Sequence, residues 1–91
     1  MANILIGYDL NKQGQDYAKL IAKIKVLGSD WWHCLDSTWI VKAELTAVQA
    51  RDALLPFIDS NDEIFVVEIS GEPAAWAGFD NECSEWLKAN L

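Results

Sequence analysis

The chain has 91 residues, a formal net charge of −7 and 52% hydrophobic residues, among them five tryptophans. That length makes one small domain, residues 1–91, and no apolar run approaches the roughly 20 residues that a bilayer-spanning helix needs, so no membrane partner is expected. The acidity argues against general binding to nucleic acid, which rests on neutralising phosphates with Lys and Arg.

The opening run NILIGYDL, residues 3–10, is apolar and rich in β-branched and aromatic residues. It predicts a central strand, with Ile4, Ile6 and Tyr8 on one face and Leu5, Gly7 and Asp9 on the other. NKQG, residues 11–14, is a loop. Residues 15–27 place Tyr17, Leu20, Ile21, Ile24 and Leu27 at helical spacing, with lysines opposite. Gly28 then stands where a helix C′ residue belongs.

Residues 31–35 and 38–44 predict two strands around the polar turn Asp36-Ser37. In the first, Trp31, His33 and Leu35 alternate with Trp32 and Cys34. In the second, Trp39, Val41 and Ala43 alternate with Thr38, Ile40 and Lys42. TAVQ, residues 46–49, is a capping box that starts a helix with the stripe Ala50, Ala53, Leu54, Phe57 and Ile58. Pro56 ends or distorts that helix, since it lacks an N–H and restricts Leu55. A turn at 59–62 leads to a strand at 63–70. Residues 71–78 are irregular or a short edge segment, and Asp80 can N-cap a final helix carrying Cys83, Trp86 and Leu87.

The order β-α-β-β-α-β predicts an α+β fold of the ferredoxin-like type. It is a four-stranded antiparallel sheet with two helices on one face, plus a short C-terminal segment or helix. The opposite face is then bare, and a second copy of the chain is the usual cover for so large an apolar load. The protein is therefore expected to be a homodimer with Trp31, Trp32 and Trp39 at the interface. Nothing in MANILIGYDL resembles a secretory leader, so Cys34 and Cys83 are expected as reduced thiols in a cytoplasmic protein.

Chemistry-bearing residues are few. Asp9, at the carboxyl end of the first strand, can bind a hard cation, and two copies across a dimer axis can share one. It can equally hydrogen-bond the loop backbone at 11–14. His33 can act as a general base or simply pack with one hydrogen bond. Ser37 needs an activating base, and otherwise closes its turn. The charge is uneven: four lysines, Lys12, Lys19, Lys23 and Lys25, face two aspartates in residues 1–28, whereas three cations face twelve acids thereafter. Those lysines form either a solvated helix face or a local phosphate-facing patch.

The stretches YDLNKQGQDY, WWHCLDSTW and the terminal WLKANL make the chain similar to the small bacterial proteins called the SinR family, over nearly its whole length. More distantly, the strand ending in Tyr8-Asp9-Leu10, a helix and a hairpin with Ser37 resemble the ferredoxin-like CRISPR adaptation nucleases and the virulence-associated protein D ribonucleases. That resemblance implies a homodimer joined through the sheets. It also implies that Asp9 matches the strand-end aspartate proposed to hold a magnesium ion at the dimer axis. Those relatives place basic residues after the aspartate; here Lys12 is the only cation before Lys19, and the first arginine is Arg51.

Two functions are thus expected to compete. One is a non-catalytic, dimeric binding or interaction module. The alternative is a magnesium-dependent endonuclease acting on RNA or DNA, with paired Asp9 carboxylates on the ion, Lys12 and Lys19 toward phosphates, and Ser37 nearby.

Overall fold

A computed structural model describes residues 1–11 and 17–91. Four strands, β1 (Ala2–Asp9), β2 (Asp30–Leu35), β3 (Thr38–Ala43) and β4 (Glu63–Glu68), form one antiparallel sheet in the order β2-β3-β1-β4. β1 pairs with β3 and with β4, and β2 pairs only with β3. The most continuously apolar strand is therefore central, hydrogen-bonded along both of its edges.

Two helices, α1 (Ala18–Lys25) and α2 (Ala47–Leu54), pack on one face. Leu20 and Ile24 from α1 and Ala50 and Leu54 from α2 close over Ile4, Ile6, Trp39, Val41 and Ala43, all fully buried. These are the faces that alternation assigned. The helix expected over 15–27 is described only from residue 17 onward, and its regular part ends at Lys25.

Gly28 is needed for a different reason than expected. Its φ is not positive, so it is no left-handed cap. A Cβ there would run into the backbone carbonyl of Lys42, while the adjacent Ser29 N–H donates to that same oxygen at 2.9 Å. The glycine lets the chain after α1 lie directly against β3.

The hairpin forms with Asp36 and Ser37 as its two-residue turn, Leu35 pairing with Thr38. Neither turn residue has positive φ. A primed turn needs it, so the strand twist must be met otherwise. It is met by a register shift in β2 between Trp32 and Leu35. That shift moves Leu35 away from the face of Trp31 and His33, where alternation had put it. It lines a groove on the other side with Trp32 and Ile40.

The capping box at α2 is present in both directions, Thr46 Oγ1 accepting from Gln49 N–H and Gln49 Oε1 from Thr46 N–H. Pro56 falls in a 3-10 turn, Leu55–Phe57, directly after α2 stops.

The largest departure is on the second face of the sheet, which is not bare. A third helix, α3 (Asn81–Asn90), is N-capped by Asp80, whose Oδ1 accepts from Cys83 N–H at 2.9 Å. Together with residues 71–80 it forms a strap across the β2–β3 half of that face. Leu87 of α3 is buried against Trp32 and Ile40 of the sheet, with Trp76, Phe79 and Trp86 packed around them. Asn3 Nδ2 donates to the Asn90 carbonyl at 2.6 Å, and Trp86 Nε1 donates to Asp30 at 2.9 Å. Cys34 and Cys83 are joined in a disulfide, with Cα atoms 6.4 Å apart. The expectation of two reduced thiols is overturned: they are far apart in sequence, and only docking of α3 on β2 brings them together.

Candidate functional site

The half of the second face that the strap leaves open carries the candidate site. Its rows follow from register. Asp9 of β1 lies opposite Glu63 of β4; Gly7 lies between Phe65 and Thr38; Leu5 lies between Val67 and Ile40. Strand alternation sends all of these side chains to the same side, away from α1 and α2. Phe65 stands 65% exposed, and a Cβ on Gly7 would meet open space. The result is an aromatic ridge beside a trough.

At the carboxyl end of β1 the trough widens into a depression of about 460 Å³. Gly7, Asp9, Ser37, Thr38, Glu63 and Phe65 line it. Asp9 and Ser37 were singled out separately in the sequence and are brought together here, because the Ser37 carbonyl accepts from Tyr8 N–H at 3.1 Å and seats the hairpin turn against the strand end. Glu63 was missed. Only the β1–β4 register puts its carboxylate beside Asp9, and two like charges directly opposite each other repel. A cation between them would relieve that repulsion, and magnesium is commonly held by one or two carboxylates plus waters. Among the described residues no group of three or more His, Cys, Asp or Glu is placed to hold a metal ion.

The hydrogen bonding expected of Asp9 to the loop backbone at 11–14 falls largely on residues 12–14, outside the described residues; at Asn11 the acceptor is Asp62. Asp62 Oδ1 accepts from Asn11 N–H at 2.8 Å and from the Tyr17 hydroxyl at 2.7 Å, while its Oδ2 accepts from Asp59 N–H. Asn11 Nδ2 donates to the Asn61 carbonyl at 2.9 Å. The segment DSND, predicted only as a turn, thus fixes both ends of the β1–α1 crossing.

The remaining candidates disperse. His33 faces the helix side; its ring stacks on Trp39 at 3.8 Å and its Nδ1–H donates to the Thr38 carbonyl at 3.1 Å. It is a packed residue outside the depression, so Ser37 gains no base from it. Lys19 is exposed on α1, in the layer on the other side of the sheet. Lys12 lies outside the described residues.

The three tryptophans expected at an interface divide too. Trp39 is fully buried, its Nε1 donating to the Tyr8 hydroxyl at 3.0 Å, and Trp32 is 5% exposed beneath α3, donating to the Cys83 carbonyl. Neither can offer surface to a partner. Trp31 keeps 40% of its surface, with Lys25 Nζ 4.9 Å above its ring. That cation–π contact makes it part of the helix-side edge. Among the described residues no helix is long and apolar enough to cross a membrane.

No protein-family model matches the chain, and no solved structure matches it.

Proposed function

We propose that the protein is a small interaction module that works as a homodimer, two copies meeting through the open half of the second sheet face. The observation that carries this is Phe65, two-thirds exposed beside the Gly7 trough and the apolar row Leu5–Val67. A two-fold pairing is self-complementary when ridge and trough lie on one surface, because each copy then offers the ring the other receives. A large exposed aromatic next to an apolar row is also the composition of an interface centre rather than of free surface. In this reading the fold is the ferredoxin-like arrangement, supported by two β-α-β units interleaved in the order β2-β3-β1-β4. The kinship with the SinR-family proteins belongs to the same proposal, on the motifs quoted above. The protein is taken as cytoplasmic, where thiols are kept reduced and a disulfide is a responsive bond.

Light scattering of the purified chain at micromolar concentration should give twice the chain mass. Phe65→Asp should weaken association about a hundredfold, as loss of a central aromatic anchor does, and leave the far-ultraviolet circular dichroism unchanged. A monodisperse wild-type monomer would end the dimer reading.

A second reading is favoured by one observation, the meeting of Asp9, Glu63 and Ser37 on that same face. A sheet-to-sheet dimer carries both copies' Asp9 toward the joint, where a shared magnesium ion would serve phosphodiester cleavage of RNA or DNA. Cleavage with and without magnesium tests it. Asp9→Ala should abolish the activity; cleavage at the wild-type rate by that variant would place the activity elsewhere.

A further inference from the structure

The strap over the β2–β3 half is held in an unusual way. Among the described residues, three hydrophobic side chains are buried in its layer, Trp32, Ile40 and Leu87, with the polar Asn3 beside them, against nine hydrophobic ones in the helix-side cluster. Residues 71–80 contain no helix or strand and are mostly exposed. Two glycines in that stretch have φ of +73° and +88°, Gly71 just after β4 and Gly78 just before α3. Both are positions at which backbone can turn without a side-chain penalty. The covalent tie lies at the far end, Cys83 in the first turn of α3 to Cys34 on the edge strand β2, and both cysteines are only half-buried. Around it run single hydrogen bonds: Trp32 Nε1 to the Cys83 carbonyl, Trp86 Nε1 to Asp30, Lys42 Nζ to Asn90.

We propose that Cys34–Cys83 is a redox latch: its reduction by a dithiol frees α3 from β2 and uncovers the apolar face around Trp32 and Ile40. One thiolate of the dithiol attacks one of the two sulfurs, forming a mixed disulfide and releasing the other cysteine as a thiolate, which takes up a proton. The second thiol of the reductant then displaces the remaining cysteine. Two electrons and two protons pass to the protein, and the reductant leaves as a disulfide. A partly exposed bond is open to such attack.

The release is local because the two cores share no buried residue. The strands, α1 and α2 keep the helix-side cluster whether or not the strap is docked, which is the condition for a separately opening unit. With the sheet intact, the loop that the disulfide closes runs from the end of β4 at Glu68 to Cys83, about 15 residues. Removing a closure of that length favours the undocked strap by roughly a hundredfold. The uncovered face is continuous with Leu5 and Val67, so redox state sets how much apolar surface the protein presents. Undocking involves the strap of a single chain and needs no second copy.

Hydrogen exchange of the full chain, oxidised and then treated with dithiothreitol, tests it. Reduction should lower protection of the α3 amides about a hundredfold while those of β1 and β3 keep theirs, and reoxidation should restore it. The Cys34→Ser/Cys83→Ser variant should exchange like the reduced protein and ignore dithiothreitol. Equal α3 protection in the two states would make the bond a passive staple and overturn the latch. Loss of protection in all strands together would overturn it too, since the strap would then not be a separate unit. A dithiothreitol response in the double-serine variant would trace the effect to something other than this bond and likewise overturn the proposal.

Discussion

The sheet has two faces, and they are built on different terms. The helix-side face is closed by α1 and α2, and among the described residues it buries nine hydrophobic side chains completely, with Trp39 the largest of them. The other face is closed over half its width by a strap from the end of the chain, with Trp32 at its centre and a disulfide at its edge. Neighbouring tryptophans, 31 and 32, point to opposite sides of that division. The first core is self-sufficient because its parts are many and interlocked. The second depends on a tether because it is small. A small core with an open margin beside it is where a protein of this size can afford to meet a partner or to move.

Substitutions can break or sharpen this contrast. Trp39→Ala should have the largest effect, about 3–5 kcal/mol, because it empties the centre of the main core and strips His33 and Trp31 of their stacking surface; urea denaturation should show a lower midpoint for the whole domain. Leu87→Ala should cost about 2–3 kcal/mol, but on the strap's side only. Hydrogen exchange should speed up in α3 well before β1 and β3 respond, and a uniform change would show that the two cores are one. Gly28→Ala should cost about 2 kcal/mol, since the added methyl meets the Lys42 backbone rather than a flexible side chain, and a thermal melt should report it. Thr46→Ala should cost about 1 kcal/mol through the lost cap of α2, a few degrees in Tm that Thr46→Ser should largely recover.

Much of the helix-side core was legible. The spacing of Leu20 and Ile24, the alternation of Ile4 and Ile6 and of Trp39 and Val41, and the capping box at Thr46 each act within a few residues, so sequence alone exposes them. The final helix and its Asp80 cap were equally visible. Its destination was not, because docking on the far face is a contact between residues some 50 positions apart, and no local pattern encodes it. The disulfide was hidden for the same reason. At the site, Asp9 and Ser37 stood out as types, but Glu63 looked like an ordinary strand-end acid until strand pairing set it opposite Asp9. Leu35 was misplaced because a register shift inside β2 overrides alternation.

Sequence by itself determined the elements, their order and the faces of the central strands, since periodicity and capping are short-range physics. Tertiary structure alone decided which half of the second face stays open, which tryptophans are spent in the cores, and that Cys34 meets Cys83. Those outcomes depend on where the last twenty residues come to rest, and that is set by the apolar surface the sheet still exposes once α1 and α2 have packed.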